Sequence, residues 1–116
     1  MAKLTVWTLR SCDTCRKALA FLRDAGIAHE VRDVRTDGLS RDVIDTLRTA
    51  LGEEAIVNRR STSWRGLCDA QRKGDPAELI AAHPTLLKRP AFVAANGACR
   101  VGFTDTVRDW LRDLPA

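Results

Sequence analysis

The chain has 116 residues, of which 45% are hydrophobic and 29% are charged, and its formal net charge is +4. This length and apolar content are typical of one soluble globular domain with its own hydrophobic core. No stretch approaches the ~20 apolar residues that span a bilayer, and the first residues lack the apolar length of a signal peptide. Four cysteines in such a chain do not resemble a secreted disulfide framework. We therefore expect a cytoplasmic monomer that does not associate with membranes.

The positive charge comes from arginine more than from lysine. Arginine suits the bidentate recognition of carboxylates and oxyanions, so we expect an anionic ligand. Acidic and basic residues are interspersed rather than grouped in one cationic run, which gives little support to nucleic-acid binding.

The first third of the chain predicts a βαβ unit. Residues 4–9 read as a mostly apolar strand, 15–25 carry apolar residues at helical spacing up to Gly26, and 27–34 alternate as a second strand. Two strands joined by a crossover helix are parallel and the crossover is right-handed. The junction that follows the first strand therefore lies at the carboxyl edge of the sheet, where ligands bind in open α/β folds.

The middle of the chain predicts helices only. Ser40 suits the cap of a helix over Arg41–Leu51 that ends at Gly52, and a short helix follows over 53–57. Residues 58–65 read as a cationic, hydroxyl-rich loop that leads into a helix ending near residue 72. Pro76 suits the first turn of a helix over 77–82.

The end of the chain predicts a hairpin and a helix. Residues 91–95 and 98–102 read as antiparallel strands around Asn96-Gly97, a pair that favours a type I′ turn. Thr104 suits the cap of the last helix, whose apolar stripe should pack on the sheet. That stripe consists of Val107, Trp110, Leu111 and Leu114.

A pair of cysteines stands at the first strand-to-helix junction, in Arg10-Ser11-Cys12-Asp13-Thr14-Cys15-Arg16-Lys17. The unpaired amides of a helix N-terminus and flanking cations lower the pKa of a thiol and favour the thiolate. A spacing of two residues lets one sulfur attack and the other resolve a mixed disulfide. We expect Cys12, which precedes the helix, to be the nucleophile and Cys15 to be the resolving thiol.

Two other interpretations of the pair stay open. A zinc site needs further ligands at suitable spacing, but Cys68 and Cys99 are isolated and His29 and His83 are far apart, so we expect no metal. Alternatively, both cysteines are buried as small apolar side chains. We expect Cys68 and Cys99 to be packed thiols, Trp64 to pack in the helical region, and His83 to end a helix with a local hydrogen bond.

Three motifs of the chain are distinctive: Cys12-Asp13-Thr14-Cys15-Arg16-Lys17-Ala18, Asn58-Arg59-Arg60-Ser61-Thr62-Ser63-Trp64-Arg65 and His83-Pro84-Thr85-Leu86-Leu87-Lys88-Arg89-Pro90. With them the chain resembles the arsenate-reductase (ArsC) family, most of all its YffB-like branch, with the Spx-like regulators as near relatives. The resemblance implies a single α/β domain with a thioredoxin-like core over 1–39 and 86–116 and a helical insertion over 40–85. It also implies a cis peptide before Pro90, next to the thiol.

The sequence also departs from the arsenate enzymes of that family, which surround the oxyanion with three arginines. Arg89 matches one of these positions, whereas Asn58 and Gly102 occupy the other two, with Arg60 and Arg100 two residues away. Cys15 supplies a resolving thiol that those enzymes lack at this position and that Spx-like proteins have.

The residues and the resemblance together predict a site around Cys12. Arg89 is expected to clamp an anionic thiol or oxyanion substrate beside Pro90, with Arg60 and Arg65 closing over the same anion. We expect a thiol-disulfide oxidoreductase without a bound cofactor, with glutathione or thioredoxin as electron donor. The resemblance adds a redox-switch regulator that binds RNA polymerase as the alternative, and arsenate reduction as a third function.

Overall fold

The fold is built around a four-stranded sheet. The computed structural model describes residues 4–10 and 12–114. The strands within them are β1 (Leu4–Thr8), β2 (His29–Asp33), β3 (Ala91–Val93) and β4 (Cys99–Val101), in the sheet order β2-β1-β3-β4. Strands β1 and β2 are parallel, whereas β3 is antiparallel to both β1 and β4. The predicted parallel pair and the predicted hairpin are thereby confirmed.

Helices, joined by turns and loops, make up most of the rest of the described chain. None of those in the described part of the chain is long and apolar enough to cross a membrane. The long helices are α1 (Asp13–Asp24), α2 (Arg41–Leu51), α6 (Pro76–Ala82) and α7 (Asp105–Arg112). The short ones are α3 (Glu53–Ile56), α4 (Thr62–Arg65), α5 (Asp69–Arg72) and a 3₁₀ turn over Pro84–Leu86.

The two faces of the sheet are covered by different helices. Because side chains alternate along a strand, Val6 points to one face and Trp7 to the other. Val6 and Phe92 share a buried cluster with residues of α1 and α7, such as Leu22 and Leu111. Trp7 belongs instead to a cluster with residues of the middle helices. The helical region and the sheet thus share one core, and α1 lies across the sheet from that region.

The middle helices follow the prediction at α2 and depart from it further on. Ser40 caps α2 by accepting a hydrogen bond from the Val43 backbone N–H at 3.3 Å, as predicted. The helix predicted to end near residue 72 is instead two separate turns, α4 and α5. Residues 62–65, predicted as loop, are helical because the Ser61 hydroxyl accepts from the Trp64 N–H at 3.1 Å. The chain is extended again at Cys68, which separates the two turns.

The hairpin turn differs from the predicted type I′. Ala94 donates to the Ala98 carbonyl at 2.8 Å, and the Gly97 N–H donates back to the Ala94 carbonyl at 2.9 Å. Three residues therefore form the loop. Gly97 has φ of 88°, whereas Asn96 does not have a positive φ. A type I′ turn needs positive φ at both positions, so this loop is the three-residue kind in which a glycine bulge follows an ordinary turn.

Candidate redox-active site

Cys12 lies immediately before α1, where the chain turns from β1 into the helix. Its N–H donates to the Leu9 carbonyl at 2.9 Å, and its backbone is extended with φ of −90° and ψ of 117°. The helix begins at Asp13, two residues earlier than its apolar pattern suggested. The side chain is half-buried, and it precedes the first helical turn, whose backbone N–H groups have no partner within the helix.

The surroundings of Cys12 favour its thiolate. Burial opposes ionisation, but interactions with the backbone N–H and the thiol of Cys15, and with the nearby Arg89 guanidinium, outweigh it. The pKa of Cys12 is consequently lowered from that of an ordinary thiol. A lowered pKa increases the fraction of nucleophilic thiolate at neutral pH.

Cys15 has the opposite character. It lies one turn into α1 and is buried, with 1% of its surface exposed. Burial raises the pKa of Cys15 to about 12, and the neighbouring Cys12 adds to this, against smaller lowering effects from the Leu9 backbone and Arg89. The two thiols therefore differ in pKa, and Cys12 ionises before Cys15 as the pH rises.

Arg89 approaches Cys12 from the segment before β3. Its Nη1 donates to the Thr85 carbonyl at 2.7 Å and more weakly to the Leu87 carbonyl at 3.4 Å. Its Nε is buried and has no hydrogen-bond partner within the described residues. A buried N–H without a partner costs free energy unless a ligand supplies an acceptor. The cis Arg89–Pro90 peptide is present, as predicted, and Pro90 is fully buried.

The helical region holds the segment that carries Arg89. The Lys88 N–H donates to the Ile56 carbonyl at 2.7 Å, and the Asn58 N–H donates to the Leu86 carbonyl at 2.8 Å. The hydroxyls of Ser63 and Thr85 are also hydrogen-bonded. The helical region thus fixes the position of Arg89 without itself providing a thiol to the site.

The other predicted cations make no hydrogen bond or ion pair with this cluster within the described residues. Arg60 is exposed in the turn after α3, and Arg65 is exposed at the end of α4. No hydrogen bond or ion pair among the described residues joins either side chain to Cys12, Cys15 or Arg89, so their closure over an anion stays a prediction. Arg100 does not point to this cluster, because its guanidinium stacks on Trp110 with 5.0 Å to the ring centre.

Four further predictions concern residues outside the cluster. Cys68, predicted to be packed, is exposed because it lies in the extended connection between α4 and α5. Cys99 is buried as predicted, and burial raises the pKa of its thiol. Trp64 is half-buried, as predicted, and packs against the hydrophobic cluster of Trp7 and the middle helices. The guanidinium groups of Arg59 and Arg72 stack on its ring. His83 ends α6 as predicted.

Sequence reasoning missed Asp33, which borders the site at the end of β2. Its carboxylate accepts hydrogen bonds from three backbone N–H groups, one of them in the loop before Cys12. Asp33 and Cys15 line a common groove between α1 and β2, together with Arg10 and Arg16. The sequence did predict that the second parallel strand ends near this residue, at 34, on the same sheet edge as the cysteines.

The sheet is thioredoxin-like, a cysteine pair lies at its first helix, and Arg89 lies beside the thiol of Cys12. Together these features define a class of thiol-based redox domains. The comparison with known families specifies the class. The ArsC family model matches residues 7–109, and the chain belongs to the ArsC family.

Individual relatives and solved structures are similar to this chain over most of its length. An uncharacterized protein from Haemophilus influenzae is 36% identical over 88% of this chain and 92% of its own length. The global transcriptional regulator Spx of Listeria innocua is 33% identical over 93% of this chain and 86% of its own length. Among solved structures, the YFFB (PA3664) protein superposes with a TM-score of 0.85 at 26% identity, covering 93% of this chain and 97% of that one. An arsenate reductase from Vibrio cholerae shares the fold, with a TM-score of 0.72, 21% identity and coverage of 97% and 98%.

Proposed function

We propose that the protein is a thiol-disulfide oxidoreductase in which Cys12 attacks and Cys15 resolves. The Cys12 thiolate attacks one sulfur of a substrate disulfide, which forms a mixed disulfide and releases the other sulfur as a thiolate. Cys15 then loses its proton and attacks the Cys12 sulfur, which closes the Cys12–Cys15 disulfide and releases the second substrate thiol. Two molecules of reduced glutathione, or one thioredoxin dithiol, return the two electrons and restore both thiols.

The observation that carries this proposal is the opposite perturbation of the two thiols. The pKa of Cys12 is lowered and its side chain is half-buried, whereas Cys15 is buried with a pKa of about 12. An exposed thiolate is the nucleophile that disulfide exchange requires. The Cys15 thiol stays protonated and unreactive while the Cys12 thiolate lies next to it. Formation of the mixed disulfide removes that negative charge, and Cys15 then ionises more readily.

Arg89 supports an anionic substrate, for which glutathione is our leading candidate. Its Nη1 is held by two backbone carbonyls while its buried Nε has no partner within the described residues. A carboxylate or oxyanion that reaches this group would satisfy the N–H and form a charge-assisted bond. Arg60 and Arg65 are proposed to add cationic attraction when such a ligand binds.

A redox-switch regulator is the second candidate function, and similarity to Spx favours it. The identity of 33% extends over 93% of this chain. The same Cys12–Cys15 chemistry would then serve as a switch, with RNA polymerase as the proposed partner. Arsenate reduction has less support, because Asn58 accepts from the Arg60 N–H and Gly102 has no side chain to bind an oxyanion.

Trapping of the intermediate tests the proposal. Three proteins are incubated with a glutathionylated peptide. They are a Cys68→Ser parent, which lacks the exposed thiol, and the same parent with Cys15→Ser or with Cys12→Ser. We expect Cys15→Ser to accumulate a mixed disulfide on Cys12, the parent to turn over with reduced glutathione, and Cys12→Ser to do neither. Absence of the mixed disulfide and of turnover would refute the reductase.

Parallel measurements separate the candidate functions. Purified RNA polymerase is tested for binding to the reduced and the oxidised protein, and arsenate replaces the glutathionylated peptide in a third assay. Redox-dependent binding of the polymerase without turnover would favour the regulator. Turnover of arsenate faster than that of the glutathionylated peptide would favour the third function.

A further inference from the structure

We propose that Asp33 is a positioning residue for Cys12: its carboxylate holds the loop that joins β1 to the cysteine pair. This inference rests on the proposed function, because it assigns the residue to the reactivity of the same thiol. Asp33 itself lies at the end of β2, and the loop that it holds is 23 residues away in sequence.

The two carboxylate oxygens of Asp33 bind two different segments. Oδ1 accepts from the backbone N–H groups of Arg35 and Thr36 at 2.8 and 2.9 Å, in its own loop. Oδ2 accepts from the Arg10 backbone N–H at 3.0 Å, in the cysteine loop. One side chain therefore fastens the end of β2 to the segment just before Cys12.

The hydrogen bond to Arg10 reaches Cys12 through a single peptide group. The N–H of Arg10 and the C=O of Leu9 belong to the same planar peptide and point in opposite directions. The Leu9 carbonyl accepts the Cys12 N–H at 2.9 Å. Asp33 thus fixes the orientation of the peptide that in turn orients the Cys12 backbone, and aligned hydrogen bonds of this kind strengthen each other.

A second side chain holds the next carbonyl of the same loop. The Nη2 of Arg16 lies 3.4 Å from the Arg10 carbonyl, while Nη1 of the same guanidinium pairs with Asp13. Both backbone polar groups of Arg10 are therefore engaged, one by Asp33 and the other by Arg16. Of the two contacts, the shorter bond is the one to the Asp33 carboxylate.

Asp33 is a poor candidate for a proton acceptor, although it lines the same groove as Cys15. The backbone N–H of Thr36, followed by those of Arg35 and Arg10, holds the pKa of the Asp33 carboxyl below its ordinary value. A carboxylate with three such donors stays ionised and binds a proton weakly. Positioning rather than proton transfer is the role that these contacts support.

Asp37 supplies a matched control. It lines the same groove and also carries a negative charge, but its carboxylate accepts from the Asp33 N–H at 2.8 Å, within its own loop. Asp37→Ala therefore removes one negative charge and loosens the β2 end without removing the acceptor for Arg10. Asp33→Asn removes the charge as well and keeps one carbonyl oxygen.

The experiment measures the amide exchange of Cys12 and the iodoacetamide alkylation rate of its thiol, in the Cys68→Ser background. We expect Asp33→Ala to lower the protection of the Cys12 amide about tenfold and to slow alkylation at mildly acidic pH about three- to tenfold. Asp33→Asn should recover part of both effects. Asp37→Ala keeps the acceptor for the Arg10 N–H, so its effects should be much smaller than those of Asp33→Ala. Amide spectra of the core around Phe92 verify that each variant is folded.

A purely electrostatic role makes the opposite prediction. Loss of a nearby negative charge would stabilise the Cys12 thiolate, so alkylation would accelerate in all three variants. The proposal would be overturned if alkylation in Asp33→Ala were accelerated or unchanged, or if the protection of its Cys12 amide were unchanged. Equal effects of Asp37→Ala and Asp33→Ala would also overturn it. Failure of the reductase assay leaves the amide measurement intact, so failure of the proposed function and failure of this inference are distinguishable.

Discussion

Replacement of Arg89 by methionine tests how the site activates Cys12. The substitution keeps a long side chain in the half-buried position and removes the guanidinium that favours the Cys12 thiolate. Arg89 lowers the pKa of Cys12 less than the interactions with Cys15 do. Loss of the guanidinium should therefore raise the pKa of Cys12 but leave the lowering that Cys15 causes. An opposite charge nearby favours the charged form of an acid, so loss of the guanidinium disfavours the Cys12 thiolate.

The pH dependence of alkylation measures this shift. At a pH well below the pKa, a higher pKa lowers the thiolate fraction, and we expect the iodoacetamide rate to fall about tenfold. The measurement uses mass spectrometry of the Cys12 peptide in the Cys68→Ser background. Arg60→Met is the matched control, because it removes the same charge from an exposed position outside the thiol cluster.

The same substitution has a structural cost that must be separated from its electrostatic effect. Removal of Nη1 leaves the Thr85 and Leu87 carbonyls without this donor, which we expect to cost about 1–3 kcal/mol of stability. Urea unfolding shows whether the variant is folded under the assay conditions. Arg89→Lys should retain part of the pKa effect and less of the two-pronged anion contact. A folded Arg89→Met protein with the parental pH midpoint would refute the role of Arg89.

Three further predictions concern stability. The backbone N–H donors lower the pKa of Asp33, so the ionised carboxylate stabilises the fold above its ordinary pKa of 3.8. This contribution is lost as the pH falls through the pKa of the folded state. Asp33→Asn should therefore reduce the slope of unfolding free energy against pH in the acid range. Phe92→Ala should cost about 3–5 kcal/mol in urea unfolding, because the ring is fully buried and packs edge-on against Trp110, whereas a loss below about 1 kcal/mol would contradict the assigned core. Gly97→Ala should lower stability by about 1–2 kcal/mol, because φ there is 88°, and a neutral effect would show that the loop adopts another turn.

Features that depend on nearby residues were predicted well. Ser40 and Gly52 mark the two ends of α2 because a cap and a terminal glycine act on the backbone next to them. The parallel β1–β2 pair follows from strand, helix and strand in succession. The position of Cys12 before the first helix turn follows from the same order, and so the predicted nucleophile lies at the expected junction.

Several features that depend on distant residues were not predicted. The bond between Asp33 and the Arg10 peptide joins segments that only the folded sheet brings together. The support of Arg89 by Thr85 depends on how the helical region packs. The Asn96-Gly97 pair was compatible with two turn types, and the pairing of Ala94 with Ala98 decided between them. The exposure of Cys68 followed from the break between α4 and α5.

The measurement that tests the central claim most directly is a redox equilibrium of the wild-type protein. The protein is equilibrated across glutathione redox buffers, the free thiols are blocked, and the peptides are identified by mass. We predict one reversible transition in which Cys12 and Cys15 become an intramolecular disulfide while buried Cys99 remains a thiol. Persistence of both Cys12 and Cys15 as free thiols across the whole range, or oxidation confined to exposed Cys68, would contradict the account.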